Sequence, residues 1–267
     1  MEIQLWREIL EPYALAVDEL VIKFTHIQKS LRKQDDYCPI ELISGRVKTI
    51  ASIIEKCSRK KIPLERLEEE MTDIAGIRLI CQFVEDCYVV ADMIKRRTDM
   101  EVVDEADYIA VPKSSGYRSY HLKIRYTVQM VDGPKTLNAE IQIRTLGMNC
   151  WSTIEHSLQY KYRGNIPDEL KDRLQHVADE MINTDRELSE IRDEITAARE
   201  QRFEEERIVN DILLTIQNLY RFASHREAVR IQEEFFRIYE EKDIEKLRHF
   251  ATELDIIAEG YHAQTTV

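Results

Sequence analysis

Two runs of strict alternation, separated by one turn signal, constrain this chain more than any other feature. Tyr120, Leu122, Ile124, Tyr126, Val128 and Met130 fall on one side of an extended segment, and His121, Lys123, Arg125, Thr127 and Gln129 on the other. Residues 136–144 repeat the pattern, with Leu137, Ala139, Ile141 and Ile143 inward and Asn138, Glu140, Gln142 and Arg144 outward. Successive side chains of a strand leave on opposite faces, so a period of two predicts two strands. The intervening Val131-Asp132-Gly133-Pro134-Lys135 is rich in turn residues, which makes the pair a hairpin. A turn centred near Asp132–Gly133 puts both polar sets on one face and sets Glu140 opposite or near Arg125. A third apolar run, residues 74–84, adds sheet and carries Arg78.

The rest of the chain reads as helix. Gly and Pro number only 7 and 6 in 267 residues, and so few breakers favour long helices. Residues 3–34 form an amphipathic segment that Pro12 is expected to break. Residues 44–61 read as a helix capped by Ser44, with Val47, Ile50, Ile53, Ile54 and Cys57 on its apolar side. From Leu170 to Ala198 apolar residues recur alternately every four and three positions, the spacing of a coiled-coil stripe. Such a stripe suits self-association, and equally a long helix packed on its own sheet. Residues 203–222, 225–241 and 243–258 read as further amphipathic helices, with the charged stretch Arg199–Arg207 as a boundary. The expected fold class is therefore α+β: a mixed sheet flanked by helices in residues 1–200, and a helical extension in residues 201–267.

Charge and cysteine content narrow the function. A formal net charge of −12 argues against duplex DNA as the main partner, because non-specific DNA binding needs summed positive charge. RNA is disfavoured on the same ground. The five cysteines show no CxxC spacing and are expected to be reduced thiols. No apolar run reaches the roughly 18 residues of a membrane span, and the N-terminus mixes charges with apolar residues, unlike a signal peptide. The expected location is the cytoplasm.

Against that acidic background, four features could carry chemistry. Residues 45–61 hold Arg46, Lys48, Lys56, Arg59, Lys60 and Lys61 against one Glu55. Such a cationic helix face suits polyphosphate, although it equally describes an ordinary solvated face. Asp73 stands just before the apolar run 74–84, where a carboxylate can hold Mg²⁺ or simply make a turn. Residues 112–121, PKSSGYRSYH, combine small residues with Lys113, Arg118 and the stacking face of Tyr117; a plain polar loop would look similar. Glu140, among cations on the hairpin, can accept a proton or a metal, or make a cross-strand ion pair.

GRVK, DIAGIR, SSGYRSYH, EIQIRT and WSTIEHSLQYKY, in this order, resemble the synthetase domain of the RelA/SpoT-type alarmone synthetases. The likeness is greatest to the small, RelQ-like branch and covers about residues 1–200. It implies a nucleotidyltransferase-like sheet and a Mg²⁺-dependent transfer of pyrophosphate from ATP to the 3′ hydroxyl of GDP or GTP, giving (p)ppGpp and AMP. It further implies that Arg46 and Arg78 sandwich adenine and that Lys48, Lys56 and Arg59 bind the ATP phosphates. Asp73 and Glu140 correspond to the metal carboxylates, with Glu140 also the base. Tyr117 corresponds to the guanine-stacking residue, and Lys113, His121, Gln142, Arg144 and Asn149 to acceptor-site residues. The resemblance also implies a homotetramer.

None of the seven histidines is followed by Asp, so the hydrolase motif of the longer relatives is missing and synthesis alone is expected. Positions that hold lysines and an activating product in that branch are here Val21 and Thr25, with Leu42 and Ser44 nearby, so product activation is expected to be weak or lost. Two alternatives remain at this point: pyrophosphate transfer to an adenine nucleotide or a tRNA 3′ end, and a non-catalytic nucleotide-binding scaffold.

Overall fold

A computed structural model describes residues 2–34, 37–161 and 167–265. The chain divides into two compact units, Met1–Glu190 and Ile191–Val267. The first is built on a five-stranded sheet with strand order β1-β2-β5-β4-β3, and it has the expected α+β character. Its strands are β1 (Leu42–Val47), β2 (Ala75–Cys81), β3 (Glu101–Asp107), β4 (Tyr120–Met130) and β5 (Gly133–Thr145). β2 and β5 run parallel, and the other three pairings are antiparallel.

The hairpin forms where the alternation places it. Met130 pairs with Gly133, so the turn is the two residues Val131–Asp132, one position earlier than expected. The register therefore moves by two: Glu140 lies opposite Lys123, and Arg125 faces Asn138. A shift of two keeps every side chain on its expected face, because the strand period is two. The inward set Leu122, Ile124, Ala139, Ile141 and Ile143 is wholly buried. Burying its four branched side chains stabilises the unit by about 1.5–3 kcal/mol each.

Helix α1 (Glu2–Gln34) contributes Tyr13, Ala16, Val17, Leu20 and Phe24 to the same core. It does not break at Pro12. One missing N–H costs a single helical hydrogen bond, and the buried stripe on either side of it outweighs that loss. The segment 44–61 departs further from expectation. Its first residues form β1, and helix α2 runs only over Ile50–Lys60, capped by the Thr49 hydroxyl, which accepts from the Ser52 N–H. Gly45 explains the strand. A Cβ there would stand 2.6 Å from Val17 and 2.7 Å from Val21, so the glycine lets α1 cross directly over β1.

The remaining helices of this unit are the short α3 (Leu67–Glu70), α4 (Val84–Lys95) and α5 (Leu146–Lys161). Long helix α6 (Asp168–Phe222) starts in the first unit and runs unbroken through Arg199–Arg207. It turns Ala178, Ile182, Asp185 and Ser189 inward, whereas Leu170, Val177, Leu188, Ile191 and Ile195 of the heptad stripe are exposed. Self-packing on the sheet thus uses a different face of this helix. The second unit closes its own small core with Ile212, Ile216 and Leu219 of α6, Ile231 and Phe235 of α7 (His225–Glu240), and Leu247 and Leu254 of α8 (Ile244–Thr265).

Candidate active site

The polar face of the sheet brings the separated sequence features together. Two adjacent rows cross it: Arg46–Gly76–Glu140–Lys123 and Ser44–Arg78–Gln142–His121. Gly76 has no side chain, so the first row has a gap between Arg46 and Glu140. That gap is the floor of a cavity of about 130 Å³ lined by Arg46, Asp73, Gly76, Arg78, Glu140 and Gln142, among others. A Cβ at Gly76 would meet only Arg46, its carbonyl oxygen at 3.7 Å and its Cγ at 3.8 Å, both ordinary contacts, so what the glycine supplies is open space.

Asp73 lines this cavity. Its Oδ2 accepts from Lys48 Nζ at 3.0 Å and from Lys56 Nζ at 2.7 Å. Lys48 follows β1 and Lys56 lies on α2, so strand and helix converge on one carboxylate. Burial pushes the Asp73 carboxyl up, but the two ammonium groups outweigh it and hold the carboxyl below its ordinary value. Oδ1 is buried and accepts no hydrogen bond. Arg59, one turn beyond Lys56, is exposed.

Arg46 and Arg78 project from neighbouring strands on the same face. Arg46 is exposed, and Arg78 has a buried Nε without a partner. Burial, followed by the nearby charges of Arg144 and Arg46, lowers the Arg78 pKa. Two guanidinium groups held this close with unused donors suit a planar, electron-rich ligand between them.

Glu140, on the same lining, is held by His121 and Gln142. Its Oε1 faces His121 Nδ1 at 3.3 Å, and its Oε2 accepts from the Gln142 amide at 2.7 Å. Burial again pushes the carboxyl up, and the His121 and Gln142 contacts outweigh it, so it too lies below its ordinary value. His121 Nε2 is 2.8 Å from the Tyr117 hydroxyl. Arg144 Nη2 donates to that hydroxyl at 2.7 Å and to Gln142 Oε1 at 2.6 Å. Lys113 Nζ sits over the rings of Tyr108 and Tyr117, 4.4 and 4.8 Å from their centroids. Burial lowers its pKa.

The loop before β4 is shaped by Gly116. It takes φ +86°, and a Cβ there would stand 2.8 Å from Ala178 of α6. Its N–H donates to the Lys113 carbonyl at 2.8 Å, which closes the turn and presents Lys113 and Tyr117 side by side. Asn149 lies on α5 with a buried Oδ1 that accepts nothing.

The fold brings the carboxylates and cations singled out in the sequence onto one face, and adds Gly76, Tyr108, Ser119 and Ser152, which the sequence pattern does not single out. The glycine inside a strand pattern was a usable signal. Tyr108 and the serines carried none, because their roles depend on elements far apart in the chain.

Residues 45–165 match the family described as "Region found in RelA / SpoT proteins". The chain is 51% identical over 199 residues to the GTP pyrophosphokinase YjbM of Bacillus subtilis (strain 168), covering 74% of this chain and 94% of that protein. A crystal structure of small alarmone synthetase 1 from Bacillus subtilis bound to its product pppGpp superposes with a TM-score of 0.70 at 52% identity, over 72% of this chain and 98% of that one. Small alarmone synthetase 2 from the same organism gives 0.65 at 36% identity, over 71% and 98%. The chain belongs to the RelA/SpoT family, in its branch of small alarmone synthetases. Among the described residues, no helix is long and apolar enough to cross a membrane.

Proposed function

We propose that this protein is a GTP pyrophosphokinase that moves the β,γ-pyrophosphate of ATP to the ribose 3′ hydroxyl of GDP or GTP, releasing AMP and (p)ppGpp. The observation that carries this reading is the pair of ionised carboxylates, Asp73 and Glu140, lining one cavity with Arg46 and Arg78, with Lys48 and Lys56 on Asp73 and Lys113 over Tyr117. Six cations, counting Arg144, surround two carboxylates in a chain of net charge −12, so the field is focused where polyphosphate would lie.

Arg46 and Arg78 take the adenine, and Lys48, Lys56 and Arg59 the ATP phosphates. Tyr117 stacks the guanine, which must displace the Lys113 ammonium from its face. Lys113, released, meets the acceptor phosphates, Asn149 offers its free Oδ1 to the guanine, and His121 and Gln142 hold Glu140 on the acceptor side. The acceptor 3′ oxygen attacks the β phosphorus, its proton passes to Glu140, and the bond to the AMP oxygen breaks. A positioned base of this kind contributes on the order of 10²–10⁴-fold.

Mg²⁺ fits the residues present. Asp73 Oδ1 has no other partner, and Glu140 keeps one lone pair on each oxygen beyond its two hydrogen bonds. One or two carboxylates plus substrate phosphates is the ordinary environment of this ion. When bound it would neutralise phosphate charge in the transition state.

The exposed heptad stripe on α6 supports assembly into a homo-oligomer, a tetramer by family resemblance, in the cytoplasm. Val21 packs against the core and the Thr25 hydroxyl is spent on the Val21 carbonyl, which supports weak or lost product activation. The test of function is incubation with ATP, Mg²⁺ and either GDP or GTP, followed by separation of the nucleotides. AMP and a 3′-pyrophosphorylated guanine nucleotide should appear together in equal amounts; transfer to an adenine nucleotide alone, or no transfer, would refute the reading.

A further inference from the structure

The geometry points to Arg144 as a positioning residue: seated by Ser119 and Ser152, it fixes the direction of a closed hydrogen-bond ring that sets the His121 tautomer and aims Glu140. The inference rests on reading Glu140 as the base.

The ring has five members. From Arg144 one arm runs through Tyr117 and His121 to Glu140, and the other runs through Gln142 to Glu140. Its two ends differ in kind. A guanidinium only donates, and an ionised carboxylate only accepts. Every group between them must then accept from the Arg144 side and donate towards Glu140. Tyr117 accepts from Arg144 and gives its O–H to His121 Nε2. In the neutral imidazole the hydrogen is therefore on Nδ1, where it meets Glu140. The other tautomer would set a lone pair against the carboxylate and leave the Tyr117 hydroxyl without an acceptor. Gln142 is oriented by the same logic, with its carbonyl to Arg144 and its amide to Glu140. One cation thus settles the proton on a ring two residues away.

Arg144 is built for this task rather than for binding a mobile phosphate. It is 3% exposed. Its Nε donates to Ser119 Oγ at 3.3 Å, its Nη1 to Ser152 Oγ at 2.9 Å, and its Nη2 to both Tyr117 and Gln142. Four of the five donors of the planar fork are spent inside the protein, and a lysine could not reproduce their geometry. Ser119 lies just before β4 and is anchored by donating to the Ile143 carbonyl at 3.1 Å. Ser152 lies on α5, which makes that helix the back wall of the ring.

The test compares Arg144→Lys and Ser152→Ala with the wild type in steady-state assays. Arg144→Lys is expected to lower kcat by about 100-fold, the scale of a small misplacement of a reacting group, with the acceptor KM changed less than threefold. Ser152→Ala should lower kcat by a smaller factor, with the acceptor KM likewise kept within threefold. If Arg144→Lys does not fold, Ser152→Ala carries the test alone. A raised acceptor KM with unchanged kcat would make Arg144 a direct phosphate ligand and overturn the proposal, as would a Ser152→Ala enzyme identical to wild type. Failure of the base assignment itself would show separately, as a Glu140→Gln enzyme that retains wild-type kcat.

Discussion

Asp73 and Glu140 face the same cavity, and both stay ionised although burial opposes it, yet they do so by different means. Asp73 is neutralised by two point charges on flexible stems, Lys48 and Lys56, and keeps one oxygen unused. Glu140 is held by directed hydrogen bonds from His121 and Gln142, with no lysine or arginine in direct contact among the described residues. Lysine ammonium groups move readily to an arriving phosphate, so the Asp73 end suits exchange of partners. A ring of fixed donors does not rearrange, so the Glu140 end suits a proton transfer that needs one geometry. Asp185 gives the control. It is buried with a single hydroxyl partner, Thr145, and there burial wins and the carboxyl is pushed up.

The largest effect should come from Glu140→Gln. Loss of about 10²–10⁴-fold in kcat is expected, with nucleotide binding kept within a fewfold, measured by single-turnover kinetics beside equilibrium titration. Added Mg²⁺ should not rescue it. Asp73→Asn should also cripple turnover, but here raising Mg²⁺ should restore part of the rate, because the lesion weakens metal affinity rather than proton removal. If both variants respond alike to Mg²⁺, the division of labour between the two carboxylates is wrong.

A smaller effect is expected in stability against pH. Both site carboxyls are lowered in the folded state, from 3.8 for Asp73 and 4.5 for Glu140. Their contribution is therefore fully present above those values and is lost as pH falls through the lower folded ones. Thermal melts should show wild type losing Tm below about pH 4, and Glu140→Gln losing less over that range. The smallest effect belongs to Asp185→Asn. A raised carboxyl gives its stability below its unfolded value and loses it as pH rises through the folded one, so at neutral pH the ionised group is a cost. The variant should melt at the wild-type temperature or slightly above; a lower Tm at neutral pH would mean Asp185 has a partner that outweighs its burial.

The same contrast explains what could be read from the sequence. The β4–β5 hairpin was legible because alternation, turn residues and a buried face all agree. β3 was not, because EVVDEAD is an exposed edge strand rich in acids, which strands usually avoid. β1 reads in the sequence as the start of a helix, since LISGRV declares its strand only through Gly45 beneath α1. In the site, charged residues announced themselves and Asp73 could be placed beside the basic segment. The Glu140 end could not be assembled in advance. Its ring joins residues 117, 121, 140, 142 and 144, and its support comes from Ser119 and Ser152, ordinary residues whose roles exist only after the sheet and α5 meet.

The central claim is that both outer phosphates of ATP travel together to a guanine nucleotide. ATP labelled separately at the α, β and γ phosphorus tests it most directly. β and γ label are both expected in the guanine product, while α label stays in AMP. Label at β that remains in ADP while γ alone is transferred would contradict it.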